Sequence, residues 1–120
     1  MARTSASRKA QQSAAVFDFV PFFVRRRLDW RAGNRGAVLA RRAEGGVITV
    51  VHRSSVATDA DVVEQRIAQL RPEAGAFRLF WKQGNGRWTA YCDKSGKCVI
   101  GSLAACLAEI SRDPFGCYWS

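Results

Sequence analysis

Alternation of apolar and polar residues predicts paired β-strands in the second half of the chain. In residues 77–82, Phe77, Leu79 and Trp81 fall on one face of an extended strand, while Phe80 shares the other face with two cations. The first face is therefore expected to be core, and the second to be basic with an aromatic ring among the charges.

The following strand, over residues 87–93, is joined to this one by Gly84-Asn85-Gly86. Asn-Gly between aromatic strands is the strongest hairpin signal in the chain. We expect Trp88 in the core, and Phe80 and Tyr91 on the basic face. Rings there have two interpretations: cross-strand pairs that stabilise the sheet, or a platform on which nucleic-acid bases stack.

Three further strands are predicted upstream. Residues 37–42 and 47–53 flank Glu44-Gly45-Gly46, a turn in which glycine permits a positive φ. The third strand covers residues 63–71, and residues 72–75 form the turn that follows it. The stretch over residues 54–61, rich in Ser, Thr and Asp, is expected to be a loop.

Helices are predicted on both sides of these strands in sequence. One covers about residues 20–29, where Pro21 fits the first helical turn. Ser102 is a suitable N-cap for a second helix over 103–112, and residues 115–119 are expected to return to the sheet. The fold class predicted is a single α+β domain, with an N-terminal helix, an antiparallel meander of about five strands, and a C-terminal helix packed on one sheet face.

Length and composition agree with one globular domain. Of the 120 residues, 48% are apolar, and the longest apolar stretches are much shorter than the ~20 residues that span a bilayer. Residues 1–13 combine Ser, Ala and Gln with three basic residues and predict a mobile basic tail. The folded domain is then expected over residues 14–120.

The net charge of +9 is concentrated in the N-terminal half, where residues 1–53 hold eleven basic and three acidic residues. Such a distribution favours polyanionic partners, either nucleic acid or an anionic membrane surface. The Arg25-Arg26-Arg27 triplet has a structural explanation as well, since cations stabilise a helix C-terminus. The predicted nucleic-acid-binding residues are Arg25, Arg26, Arg27, Arg31, Arg35, Arg41, Arg42, Arg78, Lys82 and Arg87, with Phe80 and Tyr91 as stacking candidates.

Candidate catalytic and metal-binding chemistry is sparse. Cys92, Cys98, Cys106 and Cys117 lack the spacing of a zinc site, and His52 is the only histidine. No metal, cofactor or enzymatic activity is predicted, although Cys92 or His52 would be the residues of a minor catalytic hypothesis. Cys92 and Cys98 flank a turn and can pair in an oxidising compartment, but reduced thiols in a cytoplasm are the default expectation.

The sequence from about residue 47 to the C-terminus resembles the domain of unknown function 3024 family of small bacterial proteins. The matching positions are Val47 to Arg53, Ile67-Ala68, Leu79-Phe80-Trp81, Trp88 to Tyr91, Leu103 to Ile110 and Asp113 to Trp119. His52, Ser54 and Ser120 depart from the family's usual Glu, Pro and Gly. The resemblance implies an α+β domain in a bacterial, cytoplasmic setting and implies no activity.

Two functional hypotheses follow. The first is sequence-nonspecific nucleic-acid binding through the Arg-rich N-terminal half. The alternative is a protein-interaction module or inhibitor that docks a partner through its sheet edge or its aromatic C-terminus. Oligomeric state is not predicted.

Overall fold

The computed structural model describes residues 19–33, 36–55 and 62–119. The predicted basic tail, Arg35 and most of the predicted loop over 54–61 lie outside these residues. In the described ranges the elements are α1 (Phe19–Ala32), β1 (Ala37–Arg42), a 3₁₀ turn (Glu44–Gly46), β2 (Ile48–Ser55), β3 (Val62–Glu73), β4 (Ala76–Lys82), β5 (Trp88–Ala90), β6 (Ile100–Gly101) and α2 (Leu103–Arg112). The predicted α+β class is confirmed, and neither of these helices has the length and hydrophobicity required to span a bilayer.

The sheet is an antiparallel meander in the order β1-β2-β3-β4-β5. A sixth strand, β6, pairs with β4 beside β5 and was not predicted, because two residues carry no detectable alternation. The register shifts between Val50 and Val51, where Ile67 is the extra residue on β3. This bulge lets both Ile67 and Ala68 enter the core.

Both helices pack on one face of the sheet. Val24, Leu28 and Ala32 of α1 and Cys106, Leu107 and Ile110 of α2 join buried strand residues in one core cluster, among them Val38, Ile48, Val50, Leu70 and Leu79. α1 is three residues longer at its C-terminal end than predicted and is followed by Gly33, whose φ is +57°. Cys106 is fully buried and packs in the core as a small hydrophobe.

The ends of α2 are set by side chains. Ser102 caps its N-terminus by accepting a hydrogen bond from the Ala105 N–H at 3.1 Å, as predicted. Asp113 ends the helix in the left-handed region, with φ at 46°, and is only 8% exposed. Its carboxylate accepts backbone N–H bonds from Cys117, Tyr118 and Trp119 at 2.9–3.3 Å.

The prediction that residues 115–119 return to the sheet as a strand was wrong. They form turns and bends instead, because three of their N–H groups already bond the Asp113 carboxylate and Gly116 turns the chain at φ +68°. Their side chains nevertheless pack on the core. Trp119 donates its indole N–H to the Ile110 carbonyl at 2.9 Å and contacts the His52 ring edge-on at 5.9 Å.

Replacing Asp113 by Asn tests this capping carboxylate. Asn tolerates the left-handed backbone but loses the charge opposite Arg31, 3.7 Å away, and half of the acceptor capacity. We expect the free energy of unfolding in urea to fall by about 2 to 4 kcal/mol. Asp93→Asn is the matched control, because Asp93 also accepts three hydrogen bonds but is exposed, and its loss should be clearly smaller. Equal losses would contradict the role given to Asp113.

Candidate functional site

The sheet face opposite the helices carries a cluster of cations and two aromatic rings. Antiparallel partners share a face, so the register assigns its members directly. We call this surface the open face; its charged and aromatic residues are Arg41, Arg53, Glu64, Arg66, Arg71, Glu73, Arg78, Phe80, Lys82 and Trp88. Six cations therefore face two carboxylates, and among the described residues no helix lies over them.

Both carboxylates of the open face are held by arginines. Glu64 receives Arg41 at 2.6 Å and Arg53 at 3.6 Å. The Nε and one Nη of Arg78 donate hydrogen bonds to the two carboxylate oxygens of Glu73, at 3.0 and 2.7 Å, and this hydrogen bonding lowers the pKa of Glu73. The pairs leave a surplus of four positive charges on the face.

The surplus charge lies near the aromatic rings. The Arg71 guanidinium lies over the Phe80 ring at 4.0 Å, and its Nε donates to the side-chain Oε1 of Gln69 at 2.8 Å. Lys82 is directly opposite Trp88 across β4 and β5. Within the described ranges, neither Arg66 nor Lys82 has a carboxylate partner. The arrangement presents planar groups and positive charge side by side.

Tyr91 does not belong to this surface, contrary to the prediction. It is 2% exposed, and its hydroxyl donates to Glu109 of α2 at 2.8 Å. Burial, and then this bond to the carboxylate, raise its pKa well above the ordinary value. The β4–β5 register is the reason, since pairing Lys82 with Trp88 turns Trp88 to the open face and Tyr91 to the core.

The predicted Arg25-Arg26-Arg27 cluster lies on a different surface. All three are exposed on α1, on the helical side of the molecule. Arg25 is 3.8 Å from Asp29, while the guanidinium groups of Arg26 and Arg27 lie over Phe22 and Phe23 at 5.7 and 4.7 Å. The structure thus places these predicted binding residues on two surfaces. The helix set is Arg25, Arg26 and Arg27 on α1, and the sheet set is Arg41, Arg78 and Lys82 on the open face.

The other predicted arginines differ in their surroundings. Arg31 lies 3.7 Å from the buried Asp113 carboxylate, and its guanidinium lies over the Trp119 ring at 5.8 Å. Arg42 is exposed at the end of β1, and Arg87 is exposed at the β4–β5 turn. Arg35 lies outside the described residues.

A groove of about 940 Å³ opens on the helical side of the sheet. Its walls are the β4–β5 turn over residues 82–86, the segment over 91–94, and the C-terminal segment over 115–118. Trp81, Tyr91, Phe115 and Tyr118 give it aromatic lining. Arg66 and Lys82 line it as well, so the groove and the open face share two cations.

A disulfide closes the loop that forms one side of the groove. Cys92 and Cys98 lie opposite one another in a short antiparallel bridge and form a disulfide, in place of the expected reduced thiols. The turn between them is ordered by Asp93, whose Oδ1 accepts from the Ser95 hydroxyl and from two backbone N–H groups. The resulting loop is a defined wall of the groove.

The remaining catalytic candidates have little chemistry around them. His52 is half-buried against Trp119, and its Nε2 has no hydrogen-bond partner in the described part of the chain. Cys117 lines the groove, but burial and the Asp113 carboxylate raise its pKa to about 11. In residues 19–33, 36–55 and 62–119, no group of three His, Cys, Asp or Glu side chains is placed to hold a metal.

The fold and surfaces define a small α+β protein in which both described helices pack on the same face of the sheet. The chain belongs to the family described as Domain of unknown function (DUF3024), which it matches over residues 8–120. The match is longer than the resemblance visible from residue 47 onward. No curated protein and no solved structure matches the chain.

Sequence reasoning missed several members of the open face. Arg53, Arg66 and Arg71 were not singled out, although each lies in a predicted strand. Their signal is positional: cations at alternate positions of neighbouring strands fall on one face once the register is known. The bulge at Ile67 hides that alternation in β3, because it breaks the period of two there.

The raised pKa of Cys117 predicts a pH-dependent reactivity. Against an ordinary value of 9.0, a pKa of about 11 leaves ~100-fold less thiolate near neutrality. Iodoacetamide should therefore modify Cys117 slowly at pH 7.5, with a rate that rises up to about pH 11, while buried Cys106 reacts more slowly still.

Mass spectrometry of the alkylated peptides measures both rates, and urea-unfolded protein provides the reference. The folded state favours the protonated thiol, so this group's contribution to stability is present below about pH 9 and is lost as the pH rises towards about 11. Alkylation of folded Cys117 at the unfolded rate at pH 7.5 would show that the thiol is not desolvated.

Proposed function

We propose that this protein binds single-stranded nucleic acid without sequence preference, and that the open face is its main contact surface. The observation that carries the proposal is the surplus of four positive charges around Phe80 and Trp88 on a sheet face that no described helix covers. Cations displace counterions from phosphates, and aromatic or guanidinium planes stack on unpaired bases of any sequence.

The geometry of the face favours a single strand over a duplex. Bases must be unpaired to stack on rings such as Trp88 or on the Arg71 guanidinium above Phe80. The cations surround these planes on neighbouring strands, where antiparallel neighbours are about 5 Å apart. A flexible strand can follow such a surface with its phosphates near the cations and its bases on the planar groups.

The helix set is assigned a secondary part in this proposal. Arg25, Arg26 and Arg27 lie on the opposite side of the sheet and have phenylalanine rings or Asp29 as neighbours. They contribute to the long-range attraction of a polyanion, which depends on the total charge. Contacts that fix the strand are expected on the open face.

The alternative hypothesis, a protein-interaction module, makes different demands. Its aromatic C-terminus offers a partner little surface, because Tyr118 is 3% exposed and Trp119 is half-buried. A partner strand would pair with the outer side of β1 or of β5, the two edges of the sheet. The two hypotheses therefore separate in a direct binding measurement.

Fluorescence anisotropy with labelled single-stranded DNA, RNA and duplex DNA, at low and near-physiological salt, tests the proposal. We expect single strands to bind more tightly than duplex, with log affinity falling linearly with log salt. In the double variant Arg53→Gln/Arg71→Gln the affinity should fall by about tenfold or more, and the salt slope by about 1.4, the value for two lost contacts with a single strand.

The matched control is Arg26→Gln/Arg112→Gln, which removes the same charge from exposed positions of α1 and α2. It should weaken binding by no more than about threefold, because it alters only the long-range field. Equal effects of the two double variants would overturn the assignment to the open face. Absence of binding to any nucleic acid at low salt would overturn the function itself and favour a protein partner.

A further inference from the structure

The groove and the open face meet at two cations. Arg66 and Lys82 have register positions on the open face, and both also line the groove. A single nucleic-acid strand bound across β3 and β4 on the open face therefore passes the mouth of the groove. Because the shared residues are positively charged, the phosphates of that strand have a reason to lie there.

The lining of the groove combines aromatic and positively charged groups. Phe115 is 47% exposed and touches the buried Tyr91 ring edge-on at 5.8 Å, so it offers accessible ring surface backed by the core. Lys94 adds a third cation to Arg66 and Lys82. The acidic residue in the lining, Asp93, has its Oδ1 engaged by Ser95 and by the Lys97 N–H.

The size of the groove suits one small planar anion. Its volume of about 940 Å³ is within the range of roughly 300 to 1,000 Å³ found for small-molecule sites. The amide side chains of Gln65, Gln83 and Asn85 line it and supply hydrogen-bond donors and acceptors beside the rings. The aromatic rings, cations and amides of the groove can together recognise a ligand that has a planar ring, a phosphate group and hydrogen-bonding atoms at the edge of the ring.

We infer that the groove binds one nucleotide unit, with its base against Phe115 and its phosphate between Lys82 and Lys94. The inference rests on the proposed function, because it makes the groove the site where an unstacked nucleotide of the bound strand leaves the open face. Free mononucleotides have the same chemistry, and the test separates the two sources.

Calorimetric titration of the full chain with adenosine 5′-monophosphate measures the site directly. Adenosine and inorganic phosphate serve as the half-ligands. We expect the mononucleotide to bind about tenfold or more tightly than either half-ligand, because stacking and charge act together. Failure of the mononucleotide to bind at millimolar concentration, or binding no tighter than phosphate alone, would overturn the inference.

Two pairs of variants locate the site. Lys94→Gln should weaken mononucleotide binding about fivefold, and Phe115→Ala about tenfold. Lys97→Gln and Phe22→Ala are the matched controls: Lys97 is exposed in the same turn and Phe22 is 52% exposed on α1, and neither lines the groove. Thermal melts confirm folding, and Lys94→Gln keeps the test valid if Phe115→Ala is unstable. Equal effects in variants and controls would overturn the site.

Binding of an unlabelled mononucleotide in competition with a labelled ten-nucleotide single strand distinguishes the sources. If the groove takes a nucleotide of the strand, Phe115→Ala weakens strand binding too and the mononucleotide competes with the strand. If the strand is unaffected while the mononucleotide still depends on Lys94 and Phe115, the groove serves a free nucleotide. If the proposed function is wrong, the result differs: the unaltered protein does not bind the ten-nucleotide strand at all, although it still binds the mononucleotide.

Discussion

The buried carboxylate of Asp113 is the interaction on which the arrangement of this protein depends. It ends α2, collects the N–H groups of Cys117, Tyr118 and Trp119, and lies 3.7 Å from Arg31 of α1. A buried carboxylate is costly unless its oxygens are fully bonded, and here three backbone donors and a guanidinium meet that requirement. One side chain thereby fixes the last helix, the first helix and the chain terminus relative to one another.

The shape of the groove depends on how Asp113 positions the C-terminal segment against the two helices. Its C-terminal wall includes Cys117 and Tyr118, which Asp113 holds, and the contacting rings of Tyr118, Tyr91 and Phe115 extend from the core into the groove lining. The Tyr91 hydroxyl is tied to Glu109 of the same helix that Asp113 terminates. Such a preorganised surface loses little conformational freedom when a ligand binds, which favours affinity from few contacts.

The meander, both helices and the Ser102 cap were predictable from sequence, because alternation, helical spacing and capping chemistry are local properties. The face of each β5 residue was not. The β4–β5 turn pairs Lys82 with Trp88, and that register exchanges the expected places of Trp88 and Tyr91. The path of residues 115–119 could not be predicted either. It depends on hydrogen bonds from their backbone N–H groups to the Asp113 carboxylate, and that carboxylate is buried beside Arg31 of α1, which is distant in sequence. The family assignment, by contrast, is carried by the sequence.

The charge asymmetry of the sequence acquires a different meaning in the folded protein. The N-terminal half holds most of the excess positive charge, yet the helix set and the sheet set lie on opposite sides of the β-sheet. An antiparallel sheet needs only one covered face, so its other face can carry charged residues at every second position. Arg66, Arg71, Arg78 and Lys82 come from the half of the chain with almost balanced charge, and the meander brings them beside Arg41 and Arg53. The density of charge on one surface is thus a property of strand order, and it cannot be read from the totals of either half.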